Sequence, residues 1–338
     1  MKKTLLFLMM ILAYLLMTAG VFAQTDEMIL IGGIALDGPA ARMVWDASGN
    51  WITIVTGGMF YQSRVEFDML VQPDGSSIPA MSSQGFDFGT KAYTLTDVSE
   101  RGVMAALSED RKSIIIYEEP MNEAKAVKTI EPGFTILSIS VSDDGALVLA
   151  DSADEIRTVV YGTVDGRQVY DLSGFSTAAP VYDSVLSADG NAVVWHSRGT
   201  FAVQNALNGE FGETISLWDF ASSYALSPDN SVLAVGIIND DYENSAVLFF
   251  DPQSGEELGR TILGTLSPHE LSYSADGSVL IAADYSTLYR IDPESFELLD
   301  RLTVTEADDV RISRVAASPD GKAIAVLLTD GKLYLVRN

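Results

Sequence analysis

A single short peptide recurs along this chain, and it constrains the fold more than any bulk property does. Ser142-Asp-Asp-Gly145, Ser187-Ala-Asp-Gly190, Ser227-Pro-Asp-Asn230, Ser274-Ala-Asp-Gly277 and Ser318-Pro-Asp-Gly321 share one pattern, and Asp46-Ala-Ser-Gly49 and Val98-Ser-Glu-Arg-Gly102 are looser copies. The closing residues stand at 49, 102, 145, 190, 230, 277 and 321, spaced by 53, 43, 45, 40, 47 and 44 residues. Such a tetrapeptide is a tight reverse turn. Its Ser and Asp side chains accept hydrogen bonds from the turn's own amides, Pro presets φ at the second position, and Gly or Asn tolerates a positive φ at the last. These residues read as structural punctuation without a ligand role.

Each turn leads into a short apolar run, at residues 51–55, 103–107, 146–150, 192–195, 232–236, 279–283 and 323–327. The runs lack the alternation of a half-wet strand and suit strands covered on both faces. A third strand follows, as at 246–250 and 288–291, then a second turn at 251–255 or 292–295 and a more polar fourth strand at 257–262 or 297–302. A polar fourth strand is what an exposed sheet edge requires. A repeat of about 45 residues made only of strands is the signature of propeller blades. The last repeat ends after three strands, at 314–317, 323–327 and 333–336, while residues 28–31 precede the first turn without a blade of their own. The N-terminal strand is therefore expected to complete the last blade. The prediction is an all-β, seven-bladed β-propeller of four-stranded antiparallel blades, one domain over residues 24–338.

At the start of the chain, Lys2 and Lys3 precede an apolar stretch from Leu5 to Met17, then small residues and Val21-Phe-Ala23 ahead of Gln24. This pattern predicts a signal peptide over residues 1–23, cleaved after Ala23, and an exported protein, periplasmic or secreted. The stretch is shorter than the roughly 20 residues of a membrane span, and no second one is long enough. The sequence has no cysteine, which excludes disulfides, thiol nucleophiles and cysteine-bound zinc. The formal charge of -26 becomes -28 once Lys2 and Lys3 are removed. That balance argues against nucleic acid and anionic lipid, and suits a soluble monomer with a basic partner or a cation.

The Ser-Pro-Asp-Gly turns, the apolar strand after each, and the Asp-Pro-x-Ser-Gly-Glu-x-Leu step from Asp251 to Leu258 resemble bacterial WD-like and YVTN-type propeller repeats. The resemblance covers nearly all of residues 28–338 and is best from Gly133 onward. It implies a propeller fold and, because such propellers serve mostly as binding platforms, a binding role. The chain departs from true WD repeats in having two histidines in total and a single Trp-Asp pair, Trp218-Asp219, placed after a fourth strand.

Catalytic motifs are absent: there is no Gly-x-Ser-x-Gly elbow, His-Glu-x-x-His helix or phosphate-cradling glycine loop. In a propeller the loop after the second strand shares one face with the connection between blades. That face is expected to carry Asp151, Asp154 and Glu155, His196 and Arg198, Asp240, Asp241 and Glu243, Asp284 and Tyr285, and Asp330. Phe60, Tyr61, Trp195, Trp218, Phe220 and Tyr242 accompany them. Acids mixed with aromatic anchors suit a basic or amphipathic protein, peptide or glycan, so the leading expectation is a non-enzymatic binding module with no cofactor. The alternative is a propeller hydrolase or lactonase, with or without a metal, which requires Asp151, Asp241 and Asp284 to converge. Residues 239–244 and 151–155 offer oxygen ligands for Ca²⁺, without calcium-loop spacing. The Ser- and Gly-rich residues Gly75 to Thr90 read as a long surface loop. An assembly role would need apolar outer strands, and these read as polar.

Overall fold

The computed structural model describes residues 28–35, 40–56, 59–71, 77–87, 96–117, 126–173, 183–197, 199–217, 221–238, 245–264, 266–307 and 309–337. The expected leader over residues 1–23 lies outside them. The described residues form seven four-stranded antiparallel sheets and no helix, a propeller-like arrangement. Six sheets are meanders in chain order, over residues 40–87, 96–130, 136–173, 183–216, 221–264 and 270–303. The seventh combines Ile312–Ala317, Ala323–Leu328 and Lys332–Arg337 with the N-terminal strand Ile29–Ala35. That strand runs antiparallel to the C-terminal one, from Ile29 opposite Arg337 to Ala35 opposite Lys332. The chain ends thus share a sheet, as expected from a last repeat one strand short.

The recurring turns join the first and second strands, and their chemistry is as read. At Ser187 the hydroxyl donates to Asp189 Oδ1 (2.7 Å) and accepts from the Ala192 amide (2.9 Å), while Asp189 Oδ1 accepts from the Asn191 amide (3.0 Å). Gly190 closes the turn at φ 70°, with its amide on the Ser187 carbonyl (2.9 Å). Asn230 holds the same conformation at φ 62°, and its side-chain amide donates to Asp189 of the preceding turn (3.1 Å). A side chain is tolerated there because Asn visits the left-handed region more readily than other residues.

The second strands are covered on both faces, which explains their unbroken apolar runs. Met104–Leu107, Leu280–Ala283 and Ala323–Leu328 are buried at every position. The core is divided into clusters between sheets. Six clusters each join sheets consecutive in the chain, and a further one packs Trp45, Ile52 and Ile54 of the first sheet against Ala325, Leu327 and Leu335 of the seventh. The Trp45 indole donates to the Ala316 carbonyl across the same junction (2.9 Å).

Two expectations are corrected. Gly75 to Thr90 is not simply a loop, since Ser77–Asp87 is the outer strand of the first sheet, paired with Met59–Val71. Pro79 obscured this reading, but proline is tolerated on an edge strand, where one side of the backbone has no partner. The outer strands are also less polar than they read: Val127, Val169, Ile262 and Leu299 are exposed on them. An edge strand covers its sheet with only one face, so the alternate positions meet solvent whatever their polarity.

Candidate functional site

The first strands of the sheets and the turns that follow them line a cavity of about 540 Å³. Six of the seven sheets contribute to its wall, with Arg42, Glu100, Asp143, His196, His269 and Glu270 as the ionisable residues besides two tyrosines. Arg42 pairs through Nε with Asp97 Oδ1 (2.7 Å), and Asp97 Oδ2 accepts the Val141 amide of the third sheet (2.7 Å). Arg314 pairs with Glu270 Oε1 (3.0 Å). Burial nevertheless pushes the Glu270 carboxyl up against the opposing pull of Arg314 and Arg42.

Glu100 and Asp143 differ from these paired acids. Each stands at the second position of a recurring turn, in the second and third sheets, and neither forms an ion pair with another described residue. Burial, reinforced by the charges of Asp143 and Asp46, raises the Glu100 carboxyl to about 7. Burial and the charge of Asp97 raise that of Asp143 to about 6, against the pull of Arg42. Desolvation and like charge both disfavour the ionised form, and the attraction of a cation entering the cavity would offset them.

The turns were read as punctuation, so these two acids were missed. The available signal was chemical contrast: Ala188, Pro228, Ala275 and Pro319 fill the equivalent position in the other well-formed turns. An acid where the pattern otherwise places a small or ring side chain is not required by the turn itself.

The residues expected on the loop face have divergent fates. Asp151, Trp195 and Asp284 are 2%, 0% and 3% exposed, which corrects their placement on an accessible surface. Asp151 lies near the end of the second strand Leu147–Ser152 and bridges two sheets, accepting from the hydroxyls of Ser138, Thr158 and Ser184 and from the Ser184 amide (3.2 Å). Burial still raises its pKa, outweighing those hydrogen bonds. Asp284 accepts from the amides of Ser286 and Thr287 (both 2.8 Å) and from the Tyr289 hydroxyl (2.8 Å). Trp195 donates to Gln204 Oε1 (3.1 Å) within the core. Such acids close loops and join sheets, because a buried carboxylate persists only where donors surround it.

Asp154 and Glu155 are exposed beside a recess of about 160 Å³, with Glu155 reaching Arg157 at 3.4 Å. Asp330 is exposed and paired with Lys332 (2.6 Å), whose hydrogen bond holds the carboxyl below its usual range. Tyr285 is 44% exposed, with the Arg311 guanidinium 4.6 Å above its ring and His269 stacked on it at 4.9 Å. Phe60 and Tyr61 lie in the strand Met59–Val71. Arg198, Trp218, Phe220, Asp240, Asp241, Tyr242 and Glu243 lie outside the described residues.

Among the described residues neither histidine is placed against a nucleophile. His196 Nε2 accepts the Gly199 amide (3.3 Å), and its ring stacks on Phe201 at 4.6 Å. His269 Nε2 is 2.9 Å from the Ile312 carbonyl and must carry the proton there. Burial lowers the pKa of both. Among the described residues neither ring bonds a serine hydroxyl or a carboxylate, and no group of three or more His, Asp or Glu is placed to hold a metal ion. No protein-family model matches the chain, and no curated protein matches it.

Proposed function

We propose that the seven sheets close into a seven-bladed β-propeller of the WD-like, YVTN-type kind, exported by the leader over residues 1–23, and that this ring is a non-enzymatic binding module. Its central cavity receives a basic peptide segment. Closure is supported by the cluster that packs the first sheet on the seventh and by the strand Ile29–Ala35 beside Lys332–Arg337. One observation carries the binding role: Glu100 and Asp143 line the cavity together, raised in pKa and without an ion pair among the described residues. A half-buried acid pair that no ion pair neutralises, with the nearby Arg42 engaged by Asp97, is an incomplete electrostatic arrangement that a positively charged ligand completes. The partner is therefore read from the cavity acids, since Asp151 and Asp284 are held by protein donors.

The test is calorimetric titration with tri-lysine and tri-glutamate peptides at pH 8 and pH 5.5. Tri-lysine binds at pH 8 and weakens at pH 5.5, because Glu100 and Asp143, with pKa about 7 and about 6, take up protons over that interval. The double variant Glu100→Gln/Asp143→Asn loses about tenfold in affinity, equivalent to ~1.4 kcal/mol. Equal binding of the two peptides would refute the reading.

A further inference from the structure

A second cavity, of about 660 Å³, lies between the fifth and sixth sheets on the side of the recurring turns. Pro228, Tyr273 and Ala275 stand in the walls of both cavities. We propose that this cleft is a separate site for a guanidinium group, the side chain of an arginine presented by a partner. Asp229, Asp276 and Tyr273 are its acceptors and Phe296 is its flat wall.

The acids come from two different sheets. Hydrogen bonds donated by Ser227 and Ser231 to Asp229, and by Ser274 and Ser278 to Asp276, all end on Oδ1. Oδ2 of each remains an acceptor. The Ser227 hydroxyl leads the interactions that lower the Asp229 pKa. Burial opposes ionisation of Asp276, but the bonds from Ser274 and Ser278 prevail and lower its pKa as well. Both therefore stay charged at neutral and mildly acidic pH. Lys322, which feels the charge of Asp276, is held by Asp320 at 2.9 Å. Glu294 adds a third, exposed carboxylate at the rim.

An independent feature points to a ligand. The Tyr273 hydroxyl is buried and has no hydrogen-bond partner in the structure. Burial first, and then the charge of Asp229, hold its proton on. A buried hydroxyl without a partner is rare in native proteins and calls for an explanation. A guanidinium has five N–H donors in a planar fork, enough for two carboxylate oxygens and a phenol oxygen together.

The remaining wall explains the preference for a planar cation. Phe296 adopts φ 60° where the equivalent turn of the fifth sheet has Gly255 at 69°. Its ring stacks on Phe249 at 4.4 Å, and a Cβ built on Gly259 would collide with it. The phenyl ring is thus fixed beside the acids, and guanidinium groups stack on such faces while ammonium groups remain hydrated point charges.

Titration of the full chain with acetyl-arginine amide, followed by NMR with acetyl-lysine amide as the comparison, tests the proposal. Saturable binding of the arginine compound is expected, at least fivefold tighter than the lysine compound. Tyr273→Phe weakens it at least threefold without lowering the melting temperature, because that change removes an unpaired buried hydroxyl and leaves the ring. Glu294→Lys, at an exposed position with no role in packing, also weakens it at least threefold. Glu100→Gln/Asp143→Asn leaves it unchanged. Equal affinity for the two compounds, full affinity in Tyr273→Phe or Glu294→Lys, or loss of binding in the double variant would each overturn the assignment; the last would place the arginine in the central cavity.

Discussion

Glu100 and Asp143 occupy the second position of a recurring turn; Asp189, Asp229, Asp276 and Asp320 occupy the third. These neighbouring positions place carboxylates in opposite electrostatic environments. In these four third-position acids burial opposes ionisation, but the hydrogen bonds they accept prevail and lower the pKa. Second-position acids reach the cavity, where burial and like charge raise theirs. One position stabilises the chain and the other is costly to keep charged, which separates a structural carboxylate from a candidate binding one more sharply than their residue type does.

The largest expected effect comes from loosening the frame that buries the second-position acids. Deleting residues 24–35 removes the strand beside Lys332–Arg337 and lowers the melting temperature by on the order of 10 °C, since 1 kcal/mol corresponds to roughly 2–4 °C in a chain of this class. If solvent then reaches the cavity, the Glu100 carboxyl should titrate nearer its ordinary value. NMR titration of that side chain checks this, and an unchanged titration would detach its pKa from the ring.

Asp189→Ala is expected to be the next largest. It removes acceptors used by Ser187, Asn191 and Asn230 and destabilises by about 1–3 kcal/mol at neutral pH. Because the folded-state pKa is depressed, this stabilisation is present above the ordinary aspartate pKa and is lost as pH falls through the folded value. Denaturant unfolding at pH 7 and pH 2.5 should therefore show the variant converging on the parent in acid.

The smallest effect has the opposite sign. Glu100 has a raised folded-state pKa, so its contribution favours folding at low pH and is lost as pH rises from 4.5 through about 7. Glu100→Gln should raise the melting temperature at pH 8 by a few degrees and leave it unchanged near pH 4. A fall at pH 8 would mean that Glu100 acts structurally, like Asp189, and would erase the contrast between the two positions.

Much of the architecture was legible because it rests on local chemistry. The spacing of Ser-x-Asp-Gly turns, the runs at 279–283 and 323–327 and the three-stranded last repeat each depend on a few adjacent residues. Ser77–Asp87 was obscured because Pro79 and its serines resemble a loop until a partner strand is present. Asp151 was misplaced for a related reason: its key partner, Ser184, lies 33 residues away in another sheet.

The sequence by itself determined the period, the turns and the sharing of a sheet by the two chain ends, because backbone conformation and strand burial follow from neighbouring side chains. Only the tertiary structure decided which acids are spent on the frame and which line a cavity. A carboxylate's role depends on the donors, charges and water around it, and residues distant in the chain supply these when the sheets pack together.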